Sequence, residues 1–184
     1  MKIILVRHGE ADSNIEGVPL TKKGLAEAKS VAKELSKYSF EKIYSSNLIR
    51  AKQTCEEFTK EYIEDERIRE IYRVLIGGAV KEGTSKDREI LDKKRADESF
   101  NELLKEDENA LIFCHGNLIR YYINKVLKSK ENLWKVMTIN NCSISILEFK
   151  ENILEIRNIN LINHLPKEIL EEISNSDKKE IYLP

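Results

Sequence analysis

Residues 2–9 read KIILVRHG, and this stretch decides the architecture. The apolar, partly β-branched run from Ile3 to Val6 stops at Arg7-His8-Gly9, the pattern of a buried strand with its carboxyl end at the histidine. Residues 110–117, ALIFCHGN, repeat the design with a second apolar run ending in His-Gly. The chain has three histidines, and two of them stand in this context. In open α/β sheets, ligands collect beyond the carboxyl ends of the strands. A glycine next to the histidine lets the backbone turn sharply with no side chain in the way. His8 and His115 are therefore expected to share one site.

Working outward, Thr21 is placed to cap a helix whose apolar face is Leu25, Ala28, Ala32 and Leu35. Lys42–Ser45 reads as a second short strand. Ser46 or Asn47 is placed to cap the next helix, whose stripe runs Leu48, Ala51, Cys55, Phe58 and Tyr62. Residues 68–76 mix strand-like and polar character, and Gly77-Gly78 through Gly83 forms a breaker cluster. Residues 84–108 are dense in charge, with a helical stripe (Ala96, Phe100, Leu103, Leu104) in the second half. A helix should follow His115 as far as Leu127. Residues 143–149 and 153–159 read as a hairpin, and a helix should begin after Pro166. Strands alternating with helices imply a three-layer α/β/α fold. The closing hairpin adds antiparallel pairing to a central sheet that is mixed but mostly parallel.

A chain of 184 residues suits one domain spanning 1–184 with a sizeable core. Its net charge of -1 gives no general attraction to nucleic acid or to an anionic membrane, so neither is expected as a partner. The apolar runs are too short to span a bilayer, and the N-terminal run lacks the length and cleavage site of a signal peptide. Cys55, Cys114 and Cys142 include no C-x-x-C pair and read as buried small hydrophobes in a reducing compartment. A cytoplasmic location is the expectation.

Arg7 adjoins His8, and Arg50 falls in the first turn of a helix, where a cation sits against the helix dipole. A bound anion would explain that placement, because helix N-termini expose free N–H groups and guanidinium forks match phosphate oxygens. Two arginines and two histidines around one strand-end pocket describe a dianion site, and phosphate fits best. His8, His115 and a carboxylate could in principle hold zinc. Adjacent guanidiniums would repel the metal, and no H-E-x-x-H helix is present. No metal and no cofactor are expected, and the implied partner is a small phosphorylated substrate.

The segments LVRHGEADSN, PLTKKG, YSSNLIRAKQT, FCHGN and, at 163–165, NHL occur in order along the chain. Together they resemble the histidine phosphatase superfamily, which includes the cofactor-dependent phosphoglycerate mutases. The resemblance implies a phosphohistidine mechanism. His8 matches the nucleophile, and Arg7 and Arg50 match the arginines that clamp the non-bridging oxygens. His115 matches the second histidine, a charge-assisted donor to the transferring group. Asn14 matches a polar position at the edge of the phosphate pocket, and His164 a supporting position away from the chemistry. Glu70, in RIREIY, matches the proton donor, although the residue could also be an exposed one on an irregular strand. Gly116-Asn117 excludes the variant in which an acid directly follows the second histidine.

Plainer readings stand beside these. Glu10 suits structural hydrogen bonding near the site, and Asp12 suits solvation. Cys114 suits the core, and Thr54 suits local hydrogen bonding. The charged 81–95 stretch is either a solvated face or, within residues 72–95, a cover over the pocket that selects the substrate.

The chain also departs from the family pattern. Only Ile15-Glu16-Gly17-Val18 separates Asn14 from Pro19, Ala11 replaces a common serine or threonine, and the G-x-W-E-G pattern after the proton donor is missing. The chain is short for a mutase, which leaves His8 more open to water. The leading expectation is a short, phosphatase-type member, a phosphoric monoester hydrolase acting on small metabolites. A phosphatase of phosphohistidine or other phosphorylated protein side chains is the alternative. Phosphoglycerate mutase activity and a non-catalytic phosphate-binding module stand behind both.

Overall fold

The apolar run at the N-terminus forms β1 (Lys2–Arg7), which lies inside a mixed sheet that has six strands among the described residues. The computed structural model describes residues 1–13, 15–71, 86–105, 108–129, 136–151 and 153–180. The other strands are β2 (Lys42–Ser45), β3 (Ile63–Glu64), β4 (Ala110–Cys114), β5 (Ile144–Lys150) and β6 (Ile153–Leu161). Their order across the sheet is β3-β2-β4-β1-β5-β6. The pairs β2–β3, β2–β4 and β1–β4 are parallel, whereas β1–β5 and β5–β6 are antiparallel. The fold is the α/β layered architecture expected, with the C-terminal hairpin supplying the antiparallel edge.

Alternation along β1 explains the layers, because successive side chains on a strand point to opposite faces. Ile3 and Leu5 join a core with α3 (Lys86–Leu103) and α4 (Gly116–Leu127), through Ala96, Phe100, Leu118 and Tyr122. Ile4 and Val6 join the opposite core with α1 (Lys22–Leu35), α2 (Ile49–Glu56) and α5 (Lys167–Glu180), through Ala28, Val31, Cys55 and Ile169. The β4 strand divides the same way, with Ile112 in the first core and Phe113 in the second. No helix among the described residues is long and apolar enough to cross a membrane.

The two His-Gly strands are neighbours, registered so that Arg7 stands opposite Cys114. The chain leaves β1 toward α1 on one face and leaves β4 toward α4 on the other. A crevice opens where connections diverge in this way, at the carboxyl ends of the strands. His8 and His115 both fall there.

Local expectations fared unevenly. Thr21 caps α1 by accepting from the Gly24 N–H at 3.0 Å. The expected cap of α2 is corrected: Leu48 occupies that position and its side chain makes no capping bond. The Ser46 hydroxyl instead pairs with His115 Nε2 at 2.9 Å and accepts from the Leu48 N–H at 3.3 Å. The short β3 was not foreseen, since a two-residue edge strand leaves no periodicity to read. Of the expected cover segment, residues 72–85 lie outside the described residues, and 86–95 form the first half of α3.

Candidate active site

His8 follows β1 and is 2 % exposed; His115 follows β4 and is 0 % exposed. Their rings lie 5.1 Å apart, centroid to centroid. The His8 backbone N–H donates to the Cys114 carbonyl at 3.0 Å, which extends the β1–β4 pairing to the first histidine. Arg50, on α2, brings its Nε to 3.1 Å from His8 Nε2. Arg7, Arg50, His8 and His115 thus converge on one crevice.

Hydrogen bonding fixes the tautomer of His8. Its Nδ1 lies 2.7 Å from the Gly9 carbonyl oxygen, which can only accept, so Nδ1 carries the proton. Nε2 therefore presents a lone pair, directed at the Arg50 Nε–H. Burial first, and then the Arg7 and Arg50 cations, push the His8 pKa well below the ordinary imidazole value. The ring is neutral. His115 is also pushed well down, by burial and then by His8, Arg50 and Arg7.

Two buried nitrogens at the crevice, Arg7 Nε and His115 Nδ1, have no hydrogen-bond partner among the described residues. Buried polar groups are normally satisfied, so a pair without partners at one site marks a place for an acceptor. Arg7 is held from behind, its Nη1 donating to the Ile139 carbonyl at 2.6 Å. Gly116 makes room for it: a Cβ there would stand 3.3 Å from Arg7 Nε.

Glu70 reaches the same place from a non-regular segment after the 3-10 turn Glu66–Ile68. Its Oε1 accepts from the backbone N–H groups of Ile71 (3.1 Å), Asn117 (3.1 Å) and Leu118 (3.2 Å), the last two in the first turn of α4. Among the described residues, Oε2 accepts only from Asn117, at 3.4 Å. Burial raises the Glu70 pKa, against the pull of Arg7 and of those amides. A protonated carboxyl would carry its proton on the less engaged Oε2. The reading of Glu70 as a merely exposed residue is therefore set aside.

Supporting residues that sequence reasoning left in the background now have places. The Thr54 hydroxyl, one turn after Arg50, accepts from the Gly9 N–H at 3.0 Å and donates to the Arg50 carbonyl at 2.7 Å. It ties the His8 loop to the helix that bears Arg50. Glu27 Oε2 accepts from the Glu10 N–H at 2.7 Å, and Asn141 donates to the His8 carbonyl at 2.9 Å. Glu10 itself accepts from the Thr21 hydroxyl at 2.9 Å and pairs with Lys23 at 3.4 Å, a structural role; Asp12 is exposed. Cys55, Cys114 and Cys142 are free, buried thiols, and burial raises the pKa of each.

His164 stands away from the crevice. Its Nε2 donates to the Cys142 carbonyl at 2.9 Å, while the Cys142 N–H donates to the Arg7 carbonyl at 3.0 Å, so it supports the site at one remove. Asn14 lies outside the described residues. Among the described residues no group of three or more His, Cys, Asp or Glu side chains is arranged to hold a metal ion.

Comparison with known proteins bears on this geometry. The chain is 28% identical over 182 residues to the mitochondrial serine/threonine-protein phosphatase Pgam5 of Caenorhabditis elegans, covering 89% of this chain and 64% of that protein. It is 28% identical over 178 residues to the 2,3-bisphosphoglycerate-dependent phosphoglycerate mutase of Thermoplasma acidophilum, covering 80% of this chain and 88% of the mutase. Among solved structures, a phosphoserine phosphatase mutant from Entamoeba histolytica in complex with phosphoserine superposes with a TM-score of 0.74 at 24% identity, covering 90% of this chain and 99% of that one. The family description "Histidine phosphatase superfamily (branch 1)" matches residues 3–99 and 92–162, a span holding both histidines, both arginines and Glu70. The chain belongs to the histidine phosphatase superfamily, branch 1.

Proposed function

We propose that this chain is a metal-independent phosphatase that hydrolyses phosphomonoesters of small metabolites through a phosphohistidine formed at His8. The observation that carries the proposal is the fixed tautomer: a neutral His8 whose Nε2 lone pair faces a buried guanidinium. A nitrogen nucleophile needs that unprotonated pair, and phosphoryl transfer is mostly a matter of positioning and charge stabilisation.

In the first half-reaction His8 Nε2 attacks phosphorus, the N–P bond forms, and the bond to the ester oxygen breaks. Glu70 gives its proton to the leaving alkoxide, so the alcohol departs neutral. Arg7 and Arg50 take the non-bridging oxygens. His115 donates from Nδ1, the nitrogen without a partner, when the Ser46 hydroxyl donates to its Nε2. The ring is neutral in the free protein, and an arriving dianion supplies the charge that favours its protonation. In the second half-reaction Glu70, now ionised, takes a proton from water as the water oxygen attacks phosphorus. The N–P bond breaks, inorganic phosphate leaves, and both His8 and Glu70 return to their starting states.

The test is hydrolysis of p-nitrophenyl phosphate in the presence of EDTA, with inhibition by vanadate. Turnover should persist in EDTA and vanish in His8→Ala. Activity lost to EDTA and restored by zinc would overturn the metal-free reading. Similarity to the C. elegans protein phosphatase favours a second reading, in which phosphorylated protein side chains are the substrates. A panel of phosphorylated metabolites and phosphopeptides separates the two by relative kcat/KM.

A further inference from the structure

Glu70 sits in a segment that belongs to neither strand nor helix, yet a proton donor must stand at one place relative to the leaving oxygen. Its carboxyl is fixed from the front by the first turn of α4. Its backbone is fixed from behind by Arg95, on α3. Arg95 Nη1 donates to the carbonyls of Arg67 (2.9 Å) and Arg69 (2.8 Å), and Nη2 donates to the carbonyl of Glu70 itself (2.8 Å). The remaining donors go to Asp92 Oδ1, from Nε at 3.0 Å and from Nη2 at 2.7 Å. Every N–H of the guanidinium is thereby used.

Asp92 is 2 % exposed, one turn before Arg95, and anchors the fork from the helix side. No other side chain combines a planar fork with enough donors to hold three carbonyls and a carboxylate at once; a lysine ammonium offers fewer donors from a single atom. The stretch read in sequence as a solvated face or a cover is, from residue 92, the back wall of the acid.

We infer that the Asp92–Arg95 pair is a positioning device for the general acid, setting where the Glu70 carboxyl meets the leaving group. The inference rests on the acid role proposed for Glu70. Neither Asp92 nor Arg95 needs to touch substrate, and the consequence is selective. In the transfer of phosphate to His8, a displaced acid matters when the leaving group is a poor one, such as an alkyl alcohol, and matters little when it is p-nitrophenolate, which departs without a proton.

The experiment compares Arg95→Lys and Asp92→Asn with the unaltered chain on an alkyl phosphate and on p-nitrophenyl phosphate. Thermal melts monitor folding. Arg95→Lys should lower kcat/KM, which covers only the steps up to release of the alcohol, about tenfold to hundredfold on the alkyl ester, part of the general-acid contribution, and less than about threefold on the aryl ester. Asp92→Asn, which keeps the carbonyl contacts, should shift the same ratio in the same direction but less. In a Glu70→Gln background, Arg95→Lys should add almost nothing on the alkyl ester, because the group it positions is already gone.

Equal losses on both esters, or losses that multiply in the double variant, would overturn the inference in favour of a purely structural role. Should Arg95→Lys fail to fold, the Asp92→Asn ratio and its Glu70→Gln double variant decide by the same criteria. A phosphohistidine assay on the unaltered chain, run alongside, keeps two failures apart. No label at His8 sinks the proposed function, whereas a normal label with an unshifted ester ratio sinks only the positioning role.

Discussion

Replacing Thr54 by valine tests whether the site is held together by one hydroxyl. Valine keeps the shape of threonine and removes the oxygen that joins the Gly9 N–H to the Arg50 carbonyl. The Arg50 carbonyl lies inside α2 and keeps its place in the helix ladder, so its loss is small. The Gly9 N–H is different: Thr54 is 0 % exposed, and without its hydroxyl that donor is left buried and unsatisfied. An orphaned buried donor costs about 1–3 kcal/mol. For a chain of this size that corresponds to a fall of about 2–12 °C in Tm.

Gly9 follows His8 directly, and its carbonyl fixes the His8 tautomer, so a loosened loop should also lower kcat, by about tenfold to hundredfold. Thr54→Ser keeps the hydroxyl and loses a methyl group, at a cost of about 1 kcal/mol, and should retain most activity. The assay is a thermal melt paired with steady-state hydrolysis of p-nitrophenyl phosphate for both variants. A Thr54→Val protein that melts and turns over like the unaltered chain would refute the anchoring argument. Thr54→Ser proving worse than Thr54→Val would show that packing, not the hydrogen bond, governs this position.

Two further outcomes follow from the same geometry. His8 and His115 are neutral in the fold and titrate near 6.5 once unfolded, so the unfolded chain binds protons that the folded one refuses. Their contribution to stability is present above about pH 6.5 and is lost as pH falls toward their folded pKa values; Glu70 and Glu27, with raised pKa values, work in the opposite sense. Comparing urea midpoints of the unaltered chain and His8→Asn between about pH 5 and about pH 8 should isolate the histidine effect as an acid-side slope that flattens in the variant; equal slopes would contradict the assignment. Gly24→Ala should lower both the urea midpoint and kcat, because a Cβ there would stand 2.1 Å from the Glu10 carbonyl oxygen and force the His8–Glu10 loop off α1. An active, stable Gly24→Ala protein would show that the loop has slack.

The parts of this molecule that were legible in sequence are those where burial writes a pattern. β1 and β4 are continuous apolar runs closed by His-Gly, so both their existence and their carboxyl ends could be placed to within a residue or so. Thr21 was legible as a cap because the apolar face of α1 begins right after it. The second half of α3 was legible from Ala96, Phe100 and Leu103, but the first half was not. Its one buried side chain there is Asp92, which is paired with Arg95 and so looks like ordinary surface charge in a linear reading.

Ser46 was misread for a related reason. A serine before a helix reads as a cap, and only the parallel alignment of β2 with β4 reveals that it faces His115. Thr54 gave a correct hint, its spacing from Arg50, but its bond to Gly9 spans 45 residues of sequence and needed the fold to appear. The two arginines and the two histidines could be proposed from their strand-end and helix-start contexts, and Glu70 only from the family resemblance. What holds them in position is long-range hydrogen bonding, which leaves no local signature.

The most direct test of the account is to catch phosphate on the protein. The chain is mixed briefly with a reactive phosphoester, quenched in alkaline denaturant to preserve an N–P bond, digested, and its peptides are weighed. A phosphoryl group should appear on the peptide that carries His8, disappear when turnover is allowed to finish, and be absent from His8→Ala. A phosphoryl group on a different side chain, or full turnover by a protein that never carries one, would contradict the account at its root.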